Sequence, residues 1–113
     1  MPGPLPVLSA AAIEREIERG GRLALLVSKR SVAGCHVMAA TLESVAAEYA
    51  GRVTVGILDL QRDQAVADRW LARAAPSLLF FVGGALVDRV DGVVSRGQVT
   101  RRLDLMLSAR PPG

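Results

Sequence analysis

Two stretches of the chain, Leu23–Val27 and Leu78–Val82, are apolar without any polar alternation. A run of four to six apolar residues with no polar partner face reads as a strand buried on both sides. Around these runs the apolar residues recur every three or four positions instead. Ile13 and Ile17 lie four apart, with Ser9 placed to cap a helix over Ser9–Arg19 and Gly20-Gly21 placed to end it. Cys35, Met38, Leu42, Val45 and Tyr49 form a second helical stripe within Gly34–Ala50, closed by Gly51. Arg52–Leu60, rich in Val and Ile, predicts another strand. Asp63 is expected to cap a short helix over Gln64–Arg73. Ser77–Val82 and Ala85–Val90 form a hairpin about Gly83-Gly84, and Asp91-Gly92 makes a further turn. Ser95 and Gln98 have the spacing of a capping box for a last helix whose stripe is Val99, Leu103, Met106 and Leu107.

The predicted order is therefore α β α β α β β α. Buried strands alternating with helices, followed by a hairpin, imply an α/β domain with a four- or five-stranded mixed sheet and helices on both faces. At 113 residues the chain has the size of one domain, residues 1–113. It has no internal repeat and no linker. Residues 1–6 and 110–113 are rich in Pro and Gly and are expected to fray.

Composition narrows the chemistry. Half of the residues are hydrophobic, yet no run of 18 apolar residues is present, so no membrane span is expected. The start, Met-Pro-Gly-Pro-Leu-Pro, lacks the basic and apolar regions of a signal peptide, and the expected location is cytoplasmic. Cys35 is the one cysteine and His36 the one histidine, which leaves no intrachain disulfide and no cysteine-based metal cage. Thirteen arginines and one lysine give a net charge of +3 and are spread along the chain. The four aromatics are not interleaved with a basic run, so nucleic acid is not an expected partner. Arg89, Arg96, Arg101, Arg102 and Arg110 read as surface charge, or alternatively as a face for an acidic partner.

Three segments carry a resemblance. "TLESVAAEYAGRVTVGILDL" resembles the helix and strand that follow the active site of thioredoxins. "APSLLFFVGG" resembles the strand after their cis-proline, and "DGVVSRGQVTRRLD" their last turn and helix. The resemblance covers nearly the whole chain and implies the thioredoxin fold. It breaks where the chemistry would be. Thioredoxins carry Trp-Cys-Gly-Pro-Cys at a strand-to-helix junction; the matching residues here are Ser31, Val32, Ala33, Gly34 and Cys35. Val32 stands at the attacking cysteine, whose thiolate the helix N-terminus would stabilise. Cys35 matches the deeper, resolving cysteine. Leu26 and Ile57 stand where thioredoxins bury an Asp near a Lys, and Ala40 replaces a helix-kinking proline.

The resemblance thus implies a protein without dithiol–disulfide exchange and with no cofactor or metal. It also implies a groove for an extended peptide of a protein partner, formed by Ser31, Val32, Leu60, Trp70, Ala75, Pro76, Gly92 and Val93. Pro76 matches the cis-proline, and Ala75 the residue whose backbone pairs with the peptide. Asp91 at the rim would favour a basic ligand residue. Some thioredoxin-like proteins without a CxxC serve as chaperones in hydrogenase maturation, one setting that this reading allows. The alternative is a monothiol oxidoreductase or redox sensor acting through Cys35. For Cys35 the plain reading is a small buried hydrophobe, for His36 an exposed helix residue, and for Trp70 a half-buried packing residue. The sequence does not define an oligomeric state.

Overall fold

The computed structural model describes residues 4–108. Four strands, β1 (Arg22–Ser28), β2 (Thr54–Asp59), β3 (Ser77–Val82) and β4 (Ala85–Asp91), lie in the order β2-β1-β3-β4. β1 pairs parallel to β2 and antiparallel to β3, and β3 pairs antiparallel to β4. The helices are α1 (Ala10–Glu18), α2 (Ala33–Ala46), α3 (Gln64–Arg69) and α4 (Arg96–Ser108). Of the two sheet sizes expected, the four-stranded one is found. A single parallel bridge, Val7 to Ile57, extends it at the β2 edge.

The continuous apolar runs explain the layering. Side chains alternate along a strand, so each run splits by parity into two cores. Ala24, Leu26, Leu78, Phe80 and Val82 pack with Met38, Leu42 and Val45 of α2 and Val99, Leu103 and Met106 of α4. Leu23, Leu25, Val27, Leu79 and Phe81 pack with Ile13 and Ile17 of α1 and Val66 and Ala67 of α3. Every residue of β3 is buried, as are the five central residues of β1.

Local signals act at the expected places. The Ser9 hydroxyl accepts the Ala12 N–H at 3.1 Å. At α4 the Ser95 N–H donates to Gln98 Oε1 at 3.0 Å and the Gln98 N–H to Ser95 Oγ at 3.2 Å, a reciprocal capping box. Gly83 and Gly84, at φ +60° and +85°, make the hairpin turn whose twist needs two left-handed residues. Opposite Phe80 and Phe81 stand Asp88 and Leu86, which leaves Val87 as a bulge on the edge strand.

The differences have local causes. The second helix gives way to a 3-10 turn at Ala47–Tyr49. The N–H groups of Arg52 and Val53 both donate to the Tyr49 carbonyl, so β2 starts at Thr54 rather than Arg52. α3 stops at Arg69 because Leu71 turns left-handed, at φ +55°. Asp63 precedes α3 without a side-chain cap; its carboxylate pairs with Arg62 at 3.3 Å. Fraying was expected through residue 6, but Leu5 is buried and the Pro6 carbonyl accepts the Ile57 N–H at 2.9 Å. Residues 1–3 and 110–113 of that expectation lie outside the described residues.

Two polar contacts fix α4. Arg22 donates to the carbonyls of Met106 and Leu107 at 3.1 and 3.3 Å, near the end of the helix. The buried Tyr49 hydroxyl donates to Asp104 Oδ1 at 2.7 Å. That bond raises the Tyr49 pKa above its ordinary 10.0, helped by burial and the negative charges of Asp104 and Glu48 and opposed by Arg52. The folded protein therefore resists ionisation more than the unfolded chain does. This contribution is complete below about pH 10 and is lost as pH rises through the folded value. Tyr49→Phe is expected to cost about 1–2 kcal/mol at pH 7. It should also flatten the loss of stability above pH 10, as followed by urea unfolding at pH 7 through 11.

Candidate functional site

β1 and β3 run antiparallel, with Val27 opposite Ser77, so the C-terminal end of β1 lies beside the start of β3. Three connections meet there. The first, Lys29–Val32, leads into α2; its Val32 N–H donates to the Lys29 carbonyl at 3.0 Å. Val32 is the N-cap of α2 and provides no side-chain cap. The second, Leu71–Pro76, leads into β3 and has a cis Ala75–Pro76 peptide. The third, Gly92–Ser95, follows β4; the Gly92 N–H donates to the Pro76 carbonyl at 2.8 Å.

The first turn of α2 presses against the other two connections. A Cβ on Gly34 would stand 2.9 Å from Val93 Cγ2, 3.4 Å from Pro76 Cδ and 3.6 Å from Pro76 Cγ. Glycine at 34 is what permits this approach. Gly34, Pro76, Gly92 and Val93 are thus joined directly. Ser31 is exposed, Val32 and Ala75 half-buried, and Val93 is 56% exposed. No hydrogen bond among the described residues engages the N–H or C=O of Ala75. The Ala74 carbonyl accepts the Ser77 hydroxyl at 2.9 Å.

Leu60 and Trp70 are tied to the α1–α3 core. The Leu60 N–H donates to the Ser28 carbonyl at 2.9 Å. The Trp70 ring meets Phe81 edge-on, with centroids 5.0 Å apart, and the Arg69 guanidinium lies over the indole, 5.1 Å from its centroid. Its indole N–H is buried with no acceptor among the described residues.

Cys35 is 1% exposed, and its sulfur accepts the Lys29 N–H at 3.4 Å. It lines a cleft of about 180 Å³ with Ser28, Arg30, His36, Ile57 and Asp59. The exposed His36 ring bonds the Arg30 carbonyl at 2.8 Å. Beneath the site, Leu26 and Ile57 are direct partners across the β1–β2 ladder, and Leu26 is fully buried. A carboxylate and an ammonium there would have to be desolvated at a cost of several kcal/mol; two aliphatic side chains pack without it.

The sequence reading missed two features. Asp91 is engaged by Arg89 at 3.3 Å, so it is not a free acid at the rim. Arg89 also donates to the carbonyls of Leu71 and Trp70, at 3.2 and 3.5 Å, and braces that turn. Leu71 is the one non-glycine residue with positive φ among the described residues, and it is 63% exposed. The Arg89–Asp91 pair, two apart on one face of β4, is marked by strand alternation, whereas the hold of Arg89 on the Leu71 turn depends on a turn meeting a distant strand. The arginine group is mostly paired as well: Arg96 with Glu48 at 2.7 Å and Arg102 with Asp88 at 2.8 Å. Arg110 lies outside the described residues.

This meeting of a helix start, an X-Pro connection and a turn at one end of the sheet defines a thioredoxin-fold protein, here with one thiol of the usual pair. Residues 30–104 match the thioredoxin family, and the chain belongs to that family. It is 33% identical over 73 residues to the thioredoxin of Acidithiobacillus ferridurans, covering 65% of this chain and 68% of that protein. With thioredoxin 2 of Chlorobaculum tepidum the identity is 24% over 70 residues, 62% of this chain and 64% of that one. The chain thus spans a little under two thirds of the length of several curated relatives. A point mutant of thioredoxin from Halobacterium salinarum superposes with a TM-score of 0.82 at 18% identity, over 96% of this chain and 94% of that one. That likeness concerns the fold.

The packing at Gly34 can be tested. Gly34→Val should destabilise the protein by about 1–3 kcal/mol, since its branches meet the proline ring as well as Val93. Gly34→Ala should cost less, because the exposed Val93 side chain can turn away. Urea unfolding of the two variants checks the order.

Proposed function

We propose that this thioredoxin-family chain is a binding module without dithiol exchange, which holds an extended peptide of a partner protein along Ala74–Pro76. The observation that carries this reading is the unpaired backbone N–H and C=O of Ala75 beside the exposed Val93. An extended peptide can add to such a segment as a strand, with neighbouring apolar side chains setting preference. Val32 stands where the attacking thiol would be, and an aliphatic side chain has no lone pair to attack a disulfide. Leu26 and Ile57 provide no proton relay below it. Ser31, Val32, Gly92 and Val93 form the groove's near walls; Leu60 and Trp70 contribute by supporting it from the core. A single thiol suits a reducing compartment such as the cytoplasm.

A second reading, a monothiol acting through Cys35, draws on the small cleft beside that sulfur. Thiol labelling separates the two. A binding module should label slowly when native and rapidly in urea; rapid native labelling would favour the monothiol.

Two outcomes are expected. Insulin reduction driven by dithiothreitol should not be accelerated by this protein, and a thioredoxin-like rate would defeat the proposal. Val32→Cys should form a disulfide with Cys35, whose N–H already lies 3.1 Å from the residue 32 carbonyl. The variant should remain a poor reductase because Leu26 and Ile57 still lie beneath it.

A further inference from the structure

At the end of the sheet that bears the groove, charge is unbalanced. Lys29 and Arg30, in the connection from β1 to α2, and Arg73, in the connection to β3, are exposed. None of the three is ion-paired among the described residues. Of the acids nearby, Asp91 is paired with Arg89 at 3.3 Å, while Asp59, whose Oδ1 accepts the Gln61 N–H at 3.0 Å, and Asp68 keep their charge, so the three free cations outnumber the free acids by one. Leu71 adds an apolar element. A left-handed conformation is unfavourable for leucine, and glycine or asparagine would hold the turn with less strain. Arg89 nonetheless fixes the Leu71 carbonyl from β4, two residues from Asp91, which stands opposite Ser77. The strained leucine is thereby displayed to solvent on the segment that leads to Ala75. The turn is a Schellman end to α3, with the Ala72 N–H on the Ala67 carbonyl at 2.8 Å and the Leu71 N–H on the Asp68 carbonyl at 3.1 Å, a position usually held by glycine.

Resting on the peptide-groove reading, we infer that the ligand is an extended peptide whose apolar side chains are flanked by carboxylates. Leu71 and Val93 receive the apolar side chains, and Lys29, Arg30 and Arg73 attract the acids. Glu, rather than the basic residue that a free Asp91 would have suited, is the flanking side chain selected.

The test uses three N-acetylated, C-amidated peptides that share a Val-Leu-Val centre flanked by Glu, Gln or Lys. Each is titrated into the labelled protein while amide shifts are followed. All three should shift the amides of residues 31–35, 74 and 75. The Glu peptide should bind more tightly than the Lys peptide by roughly tenfold at low salt, and the ratio should shrink in 0.5 M salt as the charges are screened. Arg73→Glu should reduce that ratio. Leu71→Gly should weaken binding of the Gln peptide several-fold while leaving the Tm within about 3 °C of the parent, since relief of strain offsets the added freedom of the unfolded chain. Equal affinities for the Glu and Lys peptides, or full binding by Leu71→Gly, with shifts still at the groove, would overturn this inference and leave the groove reading standing. No shift at the amides of residues 31–35, 74 or 75 with any peptide would overturn both.

Discussion

The structure depends on burying β1 and β3 on both faces at once. Neither strand has a polar residue along its central run, so water is excluded from Leu23–Val27 and from Leu78–Val82 alike. A strand in that position needs a helix layer above and below, and parity assigns each side chain to one layer. The same constraint places the site. Along the buried runs each of the two central strands is paired on both sides by ladders. The two central strands regain free backbone groups where they end, and there α2, the Ala75–Pro76 connection and the turn after β4 come together.

The cores below also account for what the site tolerates. Leu26 and Ile57, paired across the ladder, make the floor wholly aliphatic. Such a floor keeps its shape without a charge network. A strained turn survives only where its surroundings over-determine it. Trp70 against Phe81 on one side of that turn, and Arg89 across it, provide the fixing contacts at Leu71. Electrostatics at this end follows from pairing more than from composition. Once Arg89 has taken Asp91, the unpaired cations Lys29, Arg30 and Arg73 outnumber the unpaired acids Asp59 and Asp68 among the described residues.

Much of this was legible in the sequence. The two apolar runs gave the doubly covered sheet, Gly83-Gly84 the hairpin, and Ser95 with Gln98 the start of the last helix. The element ends were less legible. The 3-10 turn at Ala47–Tyr49 and the early stop of α3 depend on hydrogen bonds and a left-handed residue that no propensity encodes. The N-terminal segment misled for a similar reason: Pro-rich residues suggest fraying, but Leu5 finds a core and Pro6 finds Ile57.

What the sequence determined alone is the layering of the fold and the chemistry available at the helix start. Hydrophobic periodicity is local, and the replacement of an attacking thiol by Val32 is a matter of identity. Tertiary structure decided the rest. Gly34, in the first turn of α2, meets Pro76 and Val93 from two separate connections, a contact set by how the ends of different elements converge. Arg89 reads as surface charge along the chain, and its hold on the Leu71 carbonyl appears only when β4 is packed beside that turn. Leu71 reads as one more apolar residue, and its exposure is fixed by a φ of +55° and by a guanidinium from another strand. Pattern and composition describe neighbours in sequence; charge pairing, backbone handedness and exposure are set by neighbours in space.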